Sequence, residues 1–198
     1  MLASITPLGE RARHSRWAVT AGAFLVASTA AGAAVGALAG ALGGGLLGGA
    51  AHERWRLGAL AVLLACGLLL DLRVGGLRLP TTRRQVNEDW LQRYRGWVYG
   101  AAFGAQLGAG ALTIVTTATV YLVPLAAFLS ANAGLGLVVG ATFGALRGAA
   151  VLPGGRVRDA GALMALHARL RAWEAPSRRL TLAVQIVLLA GAVVAALA

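Results

Sequence analysis

Apolar residues along the chain fall into five runs, about 17–43, 55–70, 97–122, 134–152 and 180–198, separated by polar, arginine-bearing connections. A helix rises about 1.5 Å per residue and the hydrocarbon core of a bilayer is roughly 30 Å thick, so about 20 apolar residues make one crossing. The pattern predicts an all-α fold: a polytopic integral membrane bundle of about five transmembrane helices, one domain over residues 1–198. The second and fifth runs are short but, past Arg56 at the edge of the second, uninterrupted by charge.

Two longer connections, 73–96 and 153–179, read as cytoplasmic interfacial segments. In the first, Asn87-Glu88-Asp89 suits a helix start, since Asn caps free N–H groups and acids complement the positive helix end. Trp90, Leu91, Tyr94 and Trp97 then recur at three- and four-residue spacing and make one apolar face. In the second, Val157, Ala160, Leu163 or Met164, Leu170 and Trp173 form one face, with Arg158, His167, Arg169 and Arg171 mostly elsewhere. This segment is either an interfacial helix on anionic lipid or a solvated connector packed on the bundle.

Composition agrees with a membrane chain: 58% of the 198 residues are hydrophobic and only 13% charged, against about 25% charged in soluble domains. The net charge of +11 comes from eighteen arginines, no lysine and seven acids. Three arginines precede the first run, two lie at the junction with the second, six between the second and third, none between the third and fourth, and seven from the end of the fourth to the fifth. With the N-terminus cytoplasmic and the C-terminus outside, sixteen of eighteen lie inside, as the positive-inside rule requires of a multi-pass plasma (inner) membrane protein. The tryptophans mark the same boundaries: Trp17, Trp90, Trp97 and Trp173 inside, Trp55 outside.

Arginines dispersed between apolar runs argue against a nucleic-acid surface, which clusters them. The expected partners are the bilayer, with anionic lipid at the cytoplasmic face, and a membrane-protein partner or a second copy of the chain. A cleaved signal peptide is disfavoured, because the apolar stretch from Trp17 to Ala51 far exceeds an h-region of about 7–15 residues. A first helix upstream of the given chain is left open. The lone Cys66 excludes paired-thiol chemistry within the chain and reads as a small buried hydrophobe.

Glycines recur every four residues in the first run (Gly32, Gly36, Gly40, Gly44, Gly48), the third (Gly100, Gly104, Gly108) and the fourth (Gly136, Gly140, Gly144, Gly148). Such ridges permit the close backbone approach on which helix association in lipid depends. The third run also carries a polar row, with Gln106, Thr113, Thr117 and Tyr121 on one helical face beside Gly110, broadened by Thr116 and Thr119. Pro124 follows and is expected to break or kink the helix near its outer end. The row is either a substrate path or a set of threonines bonding back to the preceding turn.

No ionisable residue falls centrally in any run, which disfavours proton-coupled antiport. Asp71 and Arg147 stand at inner ends of the second and fourth runs, where a pair is possible. No nucleophile and base set, phosphate loop or metal-ligand cluster is present, so the expectation is no enzyme activity, no metal and no cofactor.

The order of these features resembles the transmembrane family of the cytochrome c biogenesis protein CcdA and the thiol-disulfide interchange protein DsbD. Arg16-Trp17 leading to Gly36-Ala37-Leu38-Ala39-Gly40 is similar to that family's second helix, and Trp97-Val98-Tyr99-Gly100 through Pro124 to its fourth. The other runs would correspond to its third, fifth and sixth, with Ile5-Thr6-Pro7-Leu8 as a remnant of its proline-bearing first helix. The redox members carry a cysteine beside each such proline. This chain has none there, so electron relay is not implied. The leading expectation is a transporter-like protein passing a small solute along the polar row; the alternative is a non-transporting subunit or scaffold that packs a partner through its glycine ridges.

Overall fold

A computed structural model describes residues 5–48, 53–76, 93–110 and 117–197. The regular structure among the described residues is entirely helical. Helix α1 (Pro7–Ala12) begins where Thr6 caps it, its hydroxyl accepting from Gly9 N at 3.2 Å, with Pro7 in the first helical position. Proline fits there because its missing N–H has no intrahelical partner to lose. The segment read as the remnant of a lost helix end is therefore a helix start.

Helix α2 (Trp17–Leu47) runs for 31 residues without a proline or a charge. It is followed by α3 (Glu53–Asp71), α4 (Gly96–Ala109), α5 (Thr119–Leu129), α6 (Ala133–Ala149) and α7 (Ala160–Leu197). Three-residue and five-residue 3₁₀ turns lie at Val74–Gly76 and Leu152–Arg156. Helices α2, α4 and α6 pack as one group, α3 and α7 as another, and α5 touches both.

The first group is held by glycine. A Cβ on Gly36 would strike the Gly136 carbonyl, one on Gly32 the Gly140 carbonyl, and one on Gly40 the Asn132 carbonyl; the reverse holds for Gly136, Gly140 and Gly144 against Gly36, Gly32 and Ser28. From α4, Gly104 and Gly108 lie against the backbone of Phe24 and Ser28. The ridges meet one another inside this chain, so they are not the surface that a partner would pack against. Ser28, fully buried, adds a 2.7 Å hydrogen bond to the Gly144 carbonyl.

Among the described residues, three segments are long and apolar enough to cross a membrane: Trp17–Leu47, Ala133–Arg156 and Ala160–Leu197. Large apolar side chains such as Leu38, Leu42, Val187 and Val194 lie exposed along them, as lipid-facing residues do. The chain is a membrane protein of helical type.

The structure departs from the sequence pattern in several places. The third run is two helices: α4 stops at Gly110, whose φ of 75° lies in the left-handed region, and α5 starts afresh beyond it. Pro124 sits inside α5 without ending it, removing only the N–H that would reach the Val120 carbonyl. The fifth run begins far earlier than residue 180: α7 is one 38-residue helix containing Pro176, so 160–179 is its first half and not a separate interfacial helix. Asp159 caps it, Oδ1 accepting from Ala162 N at 2.7 Å. Cys66 is exposed on α3, not buried. The indole N–H of Trp17 donates to the Ile5 carbonyl at 3.3 Å, which turns this ring toward the protein. Asn87, Glu88, Asp89, Trp90 and Leu91, with most of the segment 73–96, lie outside the described residues.

Candidate functional site

The break in the third run creates a polar cluster between helices. A helix N-terminus leaves N–H groups without intrahelical acceptors, and no side chain of its own N-cap serves α5. Asp71, at the C-terminal end of α3, supplies the acceptor: its Oδ1 takes a hydrogen bond from Ala118 N at 2.8 Å. A carboxylate at this position also complements the positive helix end.

The second oxygen, Oδ2, accepts from Gln185 Nε2 of α7 at 2.7 Å, and the same amide nitrogen lies 3.2 Å from Thr119 Oγ1. Arg178 Nη2 donates to the Asp71 backbone carbonyl at 3.2 Å. Asp71, Thr119 and Gln185 thus tie α3, α5 and α7 together where each would otherwise expose polar groups to an apolar interior. Gln185 is only 3% exposed.

Beside this cluster a cavity of about 1020 Å³ opens between the two helix groups. Phe24, Leu64, Val120 and Phe143 supply apolar wall, and Thr117, Gln185 and Arg147 the polar contribution. The Arg147 guanidinium lies over the Phe143 ring, 5.2 Å from its centroid. Both carboxylate oxygens of Asp71 are engaged by Ala118 and Gln185. The cluster joins three helices through one carboxylate.

A second polar cluster seals the base of α2 and α4. Glu10 of α1 is fully buried. Its Oε1 accepts from the Tyr99 hydroxyl at 2.5 Å and from Arg13 Nη2 at 2.8 Å, and its Oε2 from Thr20 Oγ1 at 2.8 Å. Gly96 is required beside it, because a Cβ there would collide with Thr20 Oγ1. Burial penalises the Arg13 charge, yet the bonds to Glu10 and Tyr99 outweigh it and hold the guanidinium above its ordinary value.

The residues of the expected polar row are distributed differently. Gln106 lies on α4, while Tyr121 and Pro124 lie on α5 beyond the break, so they do not share one helical face. Thr117 lines the cavity, just before α5. Thr113 and Thr116 lie outside the described residues. Asp71 stood out in the sequence only as a possible partner of Arg147, whereas its carboxylate accepts from Ala118 N and Gln185 Nε2; no motif marks Gln185 or Glu10. Gln185, a lone amide in an apolar run, was the signal available; the Asp71 and Glu10 partners come from helices remote in sequence.

No family model matches the chain, and no solved structure does. Part of it matches the methylamine utilization protein MauF of Methylorubrum extorquens, 42% identical over 93 residues, or 46% of this chain and 33% of that protein. The chain is similar to MauF. The MauF of Paracoccus versutus is 48% identical over 79 residues, covering 38% of this chain and 28% of that protein, and the one from Paracoccus denitrificans 36% identical over 88, covering 43% and 32%. The chain spans about a third of the length of these curated relatives. The similarity to MauF overturns the resemblance to CcdA and DsbD, whose glycine-rich motifs are shared by any tightly packed membrane bundle. It lends no support to a transporter-like reading either.

Proposed function

We propose that this chain is an integral membrane component serving methylamine utilization, acting as a non-transporting accessory subunit and not as an enzyme. The observation that carries the reading is the similarity to three MauF proteins over two-fifths of the chain or more in two of them, on an all-helical chain with membrane-length helices. The placement is a multi-pass one in the plasma membrane with the N-terminus cytoplasmic. It is supported by the arginine distribution, and α3 and the α4–α5 pair would complete five crossings. A partner would then meet the exposed faces of the outer helices, since the glycine ridges are occupied within the chain.

Deleting the gene in its host and comparing growth on methylamine with growth on an unrelated substrate tests the reading. Loss of growth on methylamine alone is the expected result. Unchanged growth on both would refute it. Reporter fusions after residues 48, 76, 130 and 158 test the topology, with cytoplasmic activity expected at 76 and 158 only.

A further inference from the structure

Away from the cavity, the fold brings two arginine-rich stretches together. Arg13 and Arg16, just before and at the N-cap of α2, and Arg93 and Arg95, just before and at the N-cap of α4, line one recess of about 600 Å³ with His14 and Ser15. No acid is among the described residues lining it. The adjoining carboxylate, Glu10, is already engaged by Tyr99, Thr20 and Arg13. Among the described residues, four guanidinium groups, one of them Arg13 already paired with Glu10, thus stand against one committed carboxylate.

This placement runs against the electrostatics of the helices themselves. A helix N-terminus carries partial positive charge and favours anions. Here arginine occupies both N-cap positions, neither N-cap side chain bonds its helix, and neither first turn contains an acid. Two positive helix ends and four cations converge on one recess, an arrangement that a bound anion would relieve. The rim is apolar: Val19, Tyr94 and Trp97 line it and are each about half exposed. Polar charge in the recess with aromatic and aliphatic surface at its edge matches an amphiphile lying alongside α2 and α4.

We propose that this recess binds the phosphate of an anionic phospholipid headgroup, its acyl chains running past Val19 and Trp97. The proposal rests on the membrane reading above but not on the link to methylamine. Guanidinium groups offer paired donors to phosphate oxygens, and the two helix ends add backbone N–H groups.

The test uses the full chain purified in nonionic detergent, with bound lipid counted by native mass spectrometry as phosphatidylglycerol, phosphatidylcholine or inorganic phosphate is added. The wild type is compared with the triple variant Arg16→Gln, Arg93→Gln, Arg95→Gln, and with a control of equal charge loss on α7, Arg169→Gln, Arg171→Gln, Arg179→Gln. Phosphatidylglycerol is expected to bind one site in preference to phosphatidylcholine, weakened at least about tenfold by the recess variant and unchanged by the control. Equal weakening by both variants would mean diffuse charge attraction and overturn the site. Inorganic phosphate binding as tightly as the lipid would overturn the lipid assignment. Circular dichroism of both variants establishes that they fold; should the recess triple not fold, Arg93→Gln alone, at an exposed position, carries the comparison with at least a threefold weakening expected. Extraction of the chain from membranes by alkaline carbonate, by contrast, would defeat the membrane reading itself.

Discussion

The Tyr99 hydroxyl in α4 donates a 2.5 Å hydrogen bond to Oε1 of Glu10 in α1, joining residues 89 positions apart at a point closed to solvent. Glu10 also holds Arg13 and Thr20, so one short helix is fixed to two long ones through a single carboxylate. Tyr99→Phe removes one charge-assisted bond and is expected to lower stability by about 1.5–3 kcal/mol. Glu10→Ala strands three donors and should cost more. Unfolding in detergent, followed by circular dichroism, measures both; a Tyr99→Phe protein as stable as wild type would mean that the bond does not anchor α1.

Gly36 and Gly136 face each other with no room for a side chain on either. Gly36→Leu should separate α2 from α6 and remove most folded protein from the membrane fraction. Gly22 lies in the same helix, but nothing stands within 4 Å of where its Cβ would be. Gly22→Ala should therefore leave yield and stability within about 0.5 kcal/mol of wild type. Similar losses at both positions would show that glycine matters here for reasons other than packing.

Asp71 serves the N-terminus of α5 and the amide of Gln185 at once. Asp71→Ala removes both acceptors and is expected to destabilise by about 1.5–3 kcal/mol. Asp71→Asn retains an oxygen for Ala118 N, and a flipped Gln185 amide can accept from the new NH₂ group, so it should recover part of the loss. Thermal unfolding of the two variants side by side decides the matter: equal loss would mean that charge at the helix end, not hydrogen bonding, is what Asp71 provides.

Gly110 ends α4 with φ near 75°, a conformation costing an L-residue roughly 1–2 kcal/mol. Gly110→Ala should destabilise by about that amount, and Gly110→Asn by less, since asparagine tolerates this region. If alanine were neutral, α4 and α5 would have an alternative path as one continuous helix.

The membrane-length helices at Trp17–Leu47 and Ala133–Arg156 were legible because long apolar stretches with little or no charge are read as membrane crossings. The break at Gly110 was not, since a glycine within an apolar run is equally consistent with a ridge position and with a left-handed stop. Pro124 drew attention as a breaker, yet it sits in the middle of α5 without ending it, at the cost of the single bond that its missing N–H would have made. The length of α7 was hidden for a related reason: exposed arginines through 169–179 suggested a connector, although helical backbone is indifferent to whether its side chains face water or lipid.

The sequence by itself determined the solvent of this protein, its helical class and the small-residue faces on which close packing depends, because hydropathy and side-chain size act locally and need no partner. Only the tertiary structure decided which glycines meet, where the third run divides, and that Asp71, Gln185 and Thr119, or Glu10, Thr20 and Tyr99, converge. A polar group inside a bundle is satisfied by whatever lies opposite it, and what lies opposite is fixed by helix register, a property of the whole fold and not of any one segment.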